Sequence, residues 1–402
     1  MATAAIAPDL VTEKQRINSI DIMRGLVMVI MALDHARDFF YVGGYATDPT
    51  NLAATTPALF FTRWITHYCA PTFVFLAGTS IFLNLQKKNK KDLSVFLLTR
   101  GLWLIVLELV VVRFAIVFNF YYDVIFFQVI WVIGASMVCM AGLIHLHYKT
   151  VLALGFIIVF GHNIFDAFRL QAGDSFFAVW TVLRQSGLVP LTDTNALFVI
   201  YPLFPWLGIM ILGFGLGKLY SGEFKKEERR KLLFILGFSA IALFIVLRFI
   251  NIYGDPAPWS AQKDGVFTFM SFINTTKYPV SLLYTLMTLG PVLVVLALME
   301  GINFSILKPF HVFGRVPMFY YVLHFSLIHA ISLALFMNKT GKSLKEIDFH
   351  FSQSFGGITT EGGYSLTITY LLWMAVVLFL YPLCVWYNRY KSTHKHWWLS
   401  YI

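Results

Sequence analysis

Charge is what this sequence has least of. Lys, Arg, Asp and Glu supply 13% of its 402 residues, where a soluble domain carries about a quarter. No polar stretch is long enough to found a soluble domain, so one membrane domain is expected over 1–402, with a cytoplasmic lead at 1–16 and a basic cytoplasmic tail at 389–402. Cysteine is scarce too. Cys69, Cys139 and Cys384 are odd in number and lie in apolar runs. They suggest neither a disulfide framework nor metal-ligand spacing, and no metal is expected. A small-residue cleavage site is missing after the first apolar run, which therefore reads as a retained helix rather than a signal peptide. There is no long-period repeat and no low-complexity segment.

What is present is apolar: 58% of residues are hydrophobic and the mean hydropathy is +0.70. A bilayer core needs about 20 apolar residues per helix. Suitable runs fall at about 18–41, 57–84, 94–118, 123–146, 150–166, 196–219, 232–252, 278–300, 314–337 and 364–388. The reading is an all-α, polytopic bundle of about ten transmembrane helices in the inner (plasma) membrane. The net charge of +10 sits in short stretches between these runs, as at Lys87–Lys91 and Lys225–Lys231. With the N-terminus inside, 18 Lys and Arg fall in inner segments and seven in outer loops. That bias sets both termini on the cytoplasmic side and makes the basic charge topological, not a nucleic-acid stripe. Three outer loops, at about 167–195, 253–277 and 338–363, are long enough to cap an outward-opening cavity.

A charge near the bilayer centre costs at least about 2.5–3.5 kcal/mol, so each one is a functional candidate. The first run carries Arg24, Asp34, His35, Arg37 and Asp38. Arg24 and His35 are eleven residues apart, about three turns, so they share a face with roughly 16 Å between them. The plain alternative is a snorkelling Arg24 and a solvated helix end at Asp34–Asp38. In the second run Arg63 and His67 share a face, and Pro71 predicts a kink just after His67. His324 and His329 occupy the ninth run. Glu108 lies in the third between Arg100 and Arg113, where a Glu108–Arg113 structural pair is the simpler reading. His162 and Arg248 lie near the outer ends of their helices, where an interfacial position is an equal alternative, Asp255 reads as a turn former, and Gly208, Gly213, Gly215 and Gly217 as helix-packing positions.

The segments Ser19-Ile20-Asp21-Ile22-Met23-Arg24-Gly25-Leu26 and Asp34-His35-Ala36-Arg37-Asp38 resemble the first helix of the heparan-α-glucosaminide N-acetyltransferase catalytic-domain family. The stretch Thr66-His67-Tyr68-Cys69-Ala70-Pro71 through Gly78 resembles its second helix. Gly161-His162-Asn163, Pro205-Trp206-Leu207-Gly208, Tyr253-Gly254-Asp255-Pro256, Leu286 through Pro291 and Gly314-Arg315-Val316-Pro317 through His324 follow in order. The resemblance implies transmembrane acyl transfer from cytoplasmic acetyl-CoA to an acceptor on the far side. The Arg24-to-His35 spacing is also similar to that of the membrane-bound acyltransferase-3 group. One departure bears on the site. The lysosomal enzyme's catalytic histidine lies between its first two helices, whereas residues 42–62 here contain none.

On this reading Arg24 and Arg100 would hold the phosphates of acetyl-CoA or another acyl-CoA, a task suited to guanidinium forks. His35, oriented by Asp34 or Asp38, would act as general base or as covalent acyl carrier. His67 and His324 would supply a second proton-transfer group or stabilise the oxyanion, with Arg63, Asp38 and Glu108 toward the acceptor. The expected partners are the lipid bilayer, acyl-CoA and a carbohydrate or other amine or hydroxyl acceptor, with a homo-oligomer as an open alternative and no nucleic acid. The competing function is a proton-coupled small-molecule transporter, for which intramembrane His, Glu and Arg would also serve. Against it, no two halves read as an inverted repeat.

Overall fold

The structure, a computed structural model, describes residues 18–300 and 306–400. The lead at 1–16 lies outside them. Helices follow in the order α1 (Asn18–Phe40), α2 (Pro57–Thr66), α3 (Cys69–Leu85), α4 (Lys90–Leu107) and α5 (Arg113–Val117). After strand β1 (Val124–Phe127) come α6 (Val129–Leu143), α7 (Tyr148–Gly161) and α8 (Phe177–Leu183). Strands β2 (Gly187–Pro190) and β3 (Ala196–Val199) precede α9 (Leu203–Gly217), α10 (Lys226–Ile250) and α11 (Gly265–Ile273). The remainder are α12 (Leu282–Met299), α13 (Lys308–Arg315), α14 (Pro317–Thr340) and α15 (Leu366–Thr393).

Among the described residues eight helices are long and apolar enough to cross a membrane. The chain is a polytopic α-helical membrane protein. Two more predicted runs hold α1, which carries too many charges for that criterion, and α6, which has 15 residues. The charged α1 is not on the outside. Fifteen of its 23 residues are buried, and it packs on α2, α3, α12, α13, α14 and α15. The strongly apolar α10, by contrast, buries only Leu233, Gly237, Phe244 and Arg248. Close approach at α1 is made possible by Gly25 and Gly314, where a Cβ would strike the carbonyls of Phe310 and Asp21. Gly213 of α9 likewise admits the Phe75 carbonyl, so the packing expected of that glycine run is found there.

The predicted kink lies at His67–Tyr68, where α2 gives way to α3. Pro71 has no N–H to offer the carbonyl four residues back, that of His67. The Tyr284 hydroxyl donates to it instead, at 2.7 Å. The third run continues α4 through one wide turn, Glu108–Val112, in which the Arg113 N–H reaches the Glu108 carbonyl.

Two expectations need correction. Residues 124–127 and 196–199, read as lying at the starts of helices, form β1 and β3, paired in parallel with Val124 opposite Ala196, while β2 runs antiparallel to β3. Short runs such as Val-Ile-Phe-Phe have no helical period to separate them from strand. The Glu108–Arg113 pair does not form. Glu108 accepts from the N–H groups of Ile130 and Trp131 at 3.0 and 3.1 Å, capping α6. Arg113 donates to the carbonyls of Val124 and Asn119 and pairs with Asp123 at 3.3 Å. Five residues apart and joined by a wide turn, the two side chains leave the helix in different directions.

Candidate active site

Two cavities meet along α1. Among the described residues the inner one, about 930 Å³, is lined by the cations Arg24, Lys87, Arg100, Arg315 and Lys391 and by one acid, Asp21. Exposed Gln86, Lys87 and Gly222 form its rim, on the side where the basic loops lie. Arg24 is fixed by the Leu76 carbonyl at 3.1 Å, the Ser80 hydroxyl and Asp21 at 3.4 Å. A pocket with four more cations than acids suits a ligand with several negative charges.

The outer cavity, about 550 Å³, is lined by Asp34, His35, Arg37, Asp38, Arg63 and Lys277, with exposed Tyr45, Thr47 and Asp48 at its rim. All three long outer loops contribute, through Ser186 and Gly187, through Lys277, and through Phe351 and Phe355. Although exposed at the rim, Tyr45 has its phenol pushed up by the partial loss of solvent, and its hydroxyl donates to the Ile358 carbonyl. Met31, Phe73, Val129 and Tyr321 line both cavities. One layer of side chains, drawn from α1, α3, α6 and α14, therefore divides them.

His35 stands one turn outward of Met31. Its Nδ1 is 2.7 Å from His324 Nε2, and His324 Nδ1 is 2.8 Å from the Tyr320 carbonyl. The tautomers follow from these contacts. A carbonyl only accepts, so His324 carries its proton on Nδ1 and its Nε2 is an acceptor. His35 must then donate from Nδ1, which leaves the Nε2 lone pair as its base. The Phe325 ring, 3.9 Å away between centroids, braces the imidazole. His324 is fully buried and lines neither cavity, so its link to the outer cavity is its contact with His35.

A carboxylate was expected to orient His35; a histidine does so. Asp34 accepts from Arg37 at 3.0 Å and from Arg63, and Asp38 pairs with Arg37 at 2.7 Å. Both acids are thereby committed to guanidinium groups. His67, buried at the α2–α3 break with its ring against Tyr284, lines neither cavity. Glu108 caps the helix that begins with Val129 of the dividing layer. His162 and Arg248 are both buried, and Arg248 donates to the carbonyls of Ala257, Ser271, Phe272 and Asn274.

A family model described as "Heparan-alpha-glucosaminide N-acetyltransferase, catalytic" matches residues 16–251. The chain belongs to this family. Among curated proteins nothing matches it. Membership in the heparan-α-glucosaminide N-acetyltransferase family makes this a membrane acetyltransferase, and the matched segment holds Arg24, His35, Arg63 and Arg100. His324, Lys277 and Tyr321 lie beyond it. Sequence reasoning passed over Lys277 and Tyr321. Lys277 counted only as an outer-loop charge, and its place in Thr-Thr-Lys-Tyr-Pro at the edge of an apolar run was the available signal.

Proposed function

We propose that the protein transfers an acetyl or other acyl group from acyl-CoA, held from the cytoplasmic side of the plasma membrane, to a glycan-type or other hydroxyl or amine acceptor in the outer cavity. The observation that carries this reading is the tautomer-locked His35–His324 pair, one turn beyond the layer between the two cavities. The cationic inner cavity would take the CoA phosphates, with Arg24 and Arg100 among their ligands. The 16 Å or so of α1 between Arg24 and His35 is a span that an extended phosphopantetheine arm covers. The thioester would then lie at the dividing layer, near His35 Nε2.

The chemistry is general-base acyl transfer. The acceptor oxygen or nitrogen attacks the thioester carbonyl while His35 Nε2 takes its proton. The tetrahedral intermediate collapses with cleavage of the C–S bond. The imidazolium returns the proton to the thiolate, so acyl-CoA and acceptor become acylated acceptor and CoA thiol. Tautomer locking by His324 keeps Nε2 available as the base throughout.

The test is thiol release from acetyl-CoA by the full chain in detergent. His35→Ala should lower the rate by about 10²–10⁴-fold, the usual contribution of a positioned general base, with the melting temperature preserved. Full activity in that variant would sink the assignment. Solute uptake without thiol release would favour the transporter.

A further inference from the structure

The lining of the outer cavity is balanced in charge, Asp34, Asp38 and Asp48 against Arg37, Arg63 and Lys277, but not paired throughout. Asp34, Asp38, Arg37 and Arg63 are joined by ion pairs into a group of two acids and two bases, neutral as a unit. Lys277 faces the same cavity and is 8% exposed. Among the described residues no carboxylate comes within ion-pair distance of it; its neighbours are the Tyr278 hydroxyl and the rings of Tyr201 and Tyr278, with centroids at 5.8 and 5.0 Å. Burying an ammonium without a counter-charge is costly. The position makes sense if negative charge comes to it during function.

The chain also builds a support for this lysine. Asp255 accepts from the Thr276 N–H and hydroxyl, both at 2.8 Å, and from the Ser281 hydroxyl at 2.7 Å. A carboxylate from one loop thus clamps both ends of the turn 276–281. Arg248 donates to the carbonyls of Ser271, Phe272 and Asn274 and so holds the segment that precedes it. The turn is held from outside the cavity while its lysine reaches in.

We infer that Lys277 is a catalytic residue whose ammonium receives the oxyanion formed on the thioester carbonyl when the acceptor attacks. This rests on the acyl-transfer reading above. In that step the carbonyl π bond becomes a C–O⁻ beside Lys277 as the new bond to the acceptor forms. The negative charge returns to the carbonyl when the C–S bond breaks. Lys277 would stabilise this charge electrostatically and by donating to it, in a cavity where a fixed cation needs no reorganisation. Arg37 and Arg63 are held by carboxylates, whereas among the described residues Lys277 has none in ion-pair contact and Asp48 stands at the exposed rim.

The experiment measures CoA thiol release by the full chain with two acceptors, water alone and added glucosamine. With water, acetyl-CoA yields acetate and CoA thiol, so no acceptor-binding contact is involved. Lys277→Met should lower kcat by about 10²–10³-fold with both acceptors, leave the KM for acetyl-CoA within about twofold, and be partly restored in Lys277→Arg. Acetyl-CoA binding reports folding separately, and Lys277→Gln replaces Lys277→Met if the latter does not fold. An unchanged kcat overturns the inference. So does a loss confined to glucosamine as a raised KM with the water reaction intact, which would make Lys277 an acceptor-binding group. A wild-type protein releasing no thiol with either acceptor overturns the acyl-transfer reading itself, and this inference with it.

Discussion

Replacing His324 by Ala tests the claim that His35 is set by its neighbour. Two contacts are lost: the 2.7 Å contact to His35 and the 2.8 Å contact to the Tyr320 carbonyl. In the resting enzyme the first is a neutral hydrogen bond worth about 0.5–1.5 kcal/mol net, so its loss lets the wrong tautomer of His35 compete by about 2–12-fold. Once His35 has taken a proton, the same contact is a bond from a charged donor worth about 1.5–3 kcal/mol. Its loss should therefore lower kcat by about 10–150-fold, less than the loss on deleting His35 itself. The KM for acetyl-CoA should hold, because the inner cavity is untouched. The assay is thiol release with variable acetyl-CoA, repeated with added imidazole, which can enter the space the side chain vacates and accept from His35. His324→Gln offers an amide oxygen in nearly the same place and should restore part of the rate. An Ala variant with wild-type kcat, or one losing as much as His35→Ala with no recovery by imidazole or Gln, would refute the reasoning.

Arg24→Ala should weaken acetyl-CoA binding by about 10–100-fold, the worth of one or two charge-assisted bonds to phosphate, while leaving kcat at saturation close to wild type; titration calorimetry in detergent reads this directly. Tyr284→Phe strands the carbonyl that Pro71 left without a helical partner, and should destabilise the protein by about 1–3 kcal/mol. A thermal melt checks it, and an unchanged melting temperature would show that water or another donor fills the gap.

The parts of this fold legible in the sequence are those where a rule has a large penalty behind it. Charges in apolar runs are expensive, so Arg24, Asp34, His35 and Arg63 stood out and all four line a cavity. A proline cannot serve the carbonyl four residues back, so the break beside His67 was foreseeable. What that break does to the His67 ring was not, because its direction depends on how α2 and α3 meet α12. The partnership of His35 with His324 spans 289 positions and obeys no local spacing. Lys277 was invisible for the opposite reason. A lysine in a loop is ordinary, and only the Asp255 clamp on the folded turn carries it indoors. The strands β1 and β3 were missed because brief apolar runs look alike in either secondary structure.

The single layer formed by Met31, Phe73, Val129 and Tyr321 has an electrical consequence. Where solvent fills the cavities on both sides, nearly all of the membrane voltage drops across that layer, instead of across the full bilayer thickness. Moving one elementary charge through such a drop is worth about 2.3 kcal/mol per 100 mV. An uncharged acyl group would cross it at no electrical cost, whatever the sign of the voltage. Thinning the barrier concentrates the field but leaves the work of moving a charge unchanged, so passing a neutral group instead of its charged carrier would make the proposed transfer independent of the voltage.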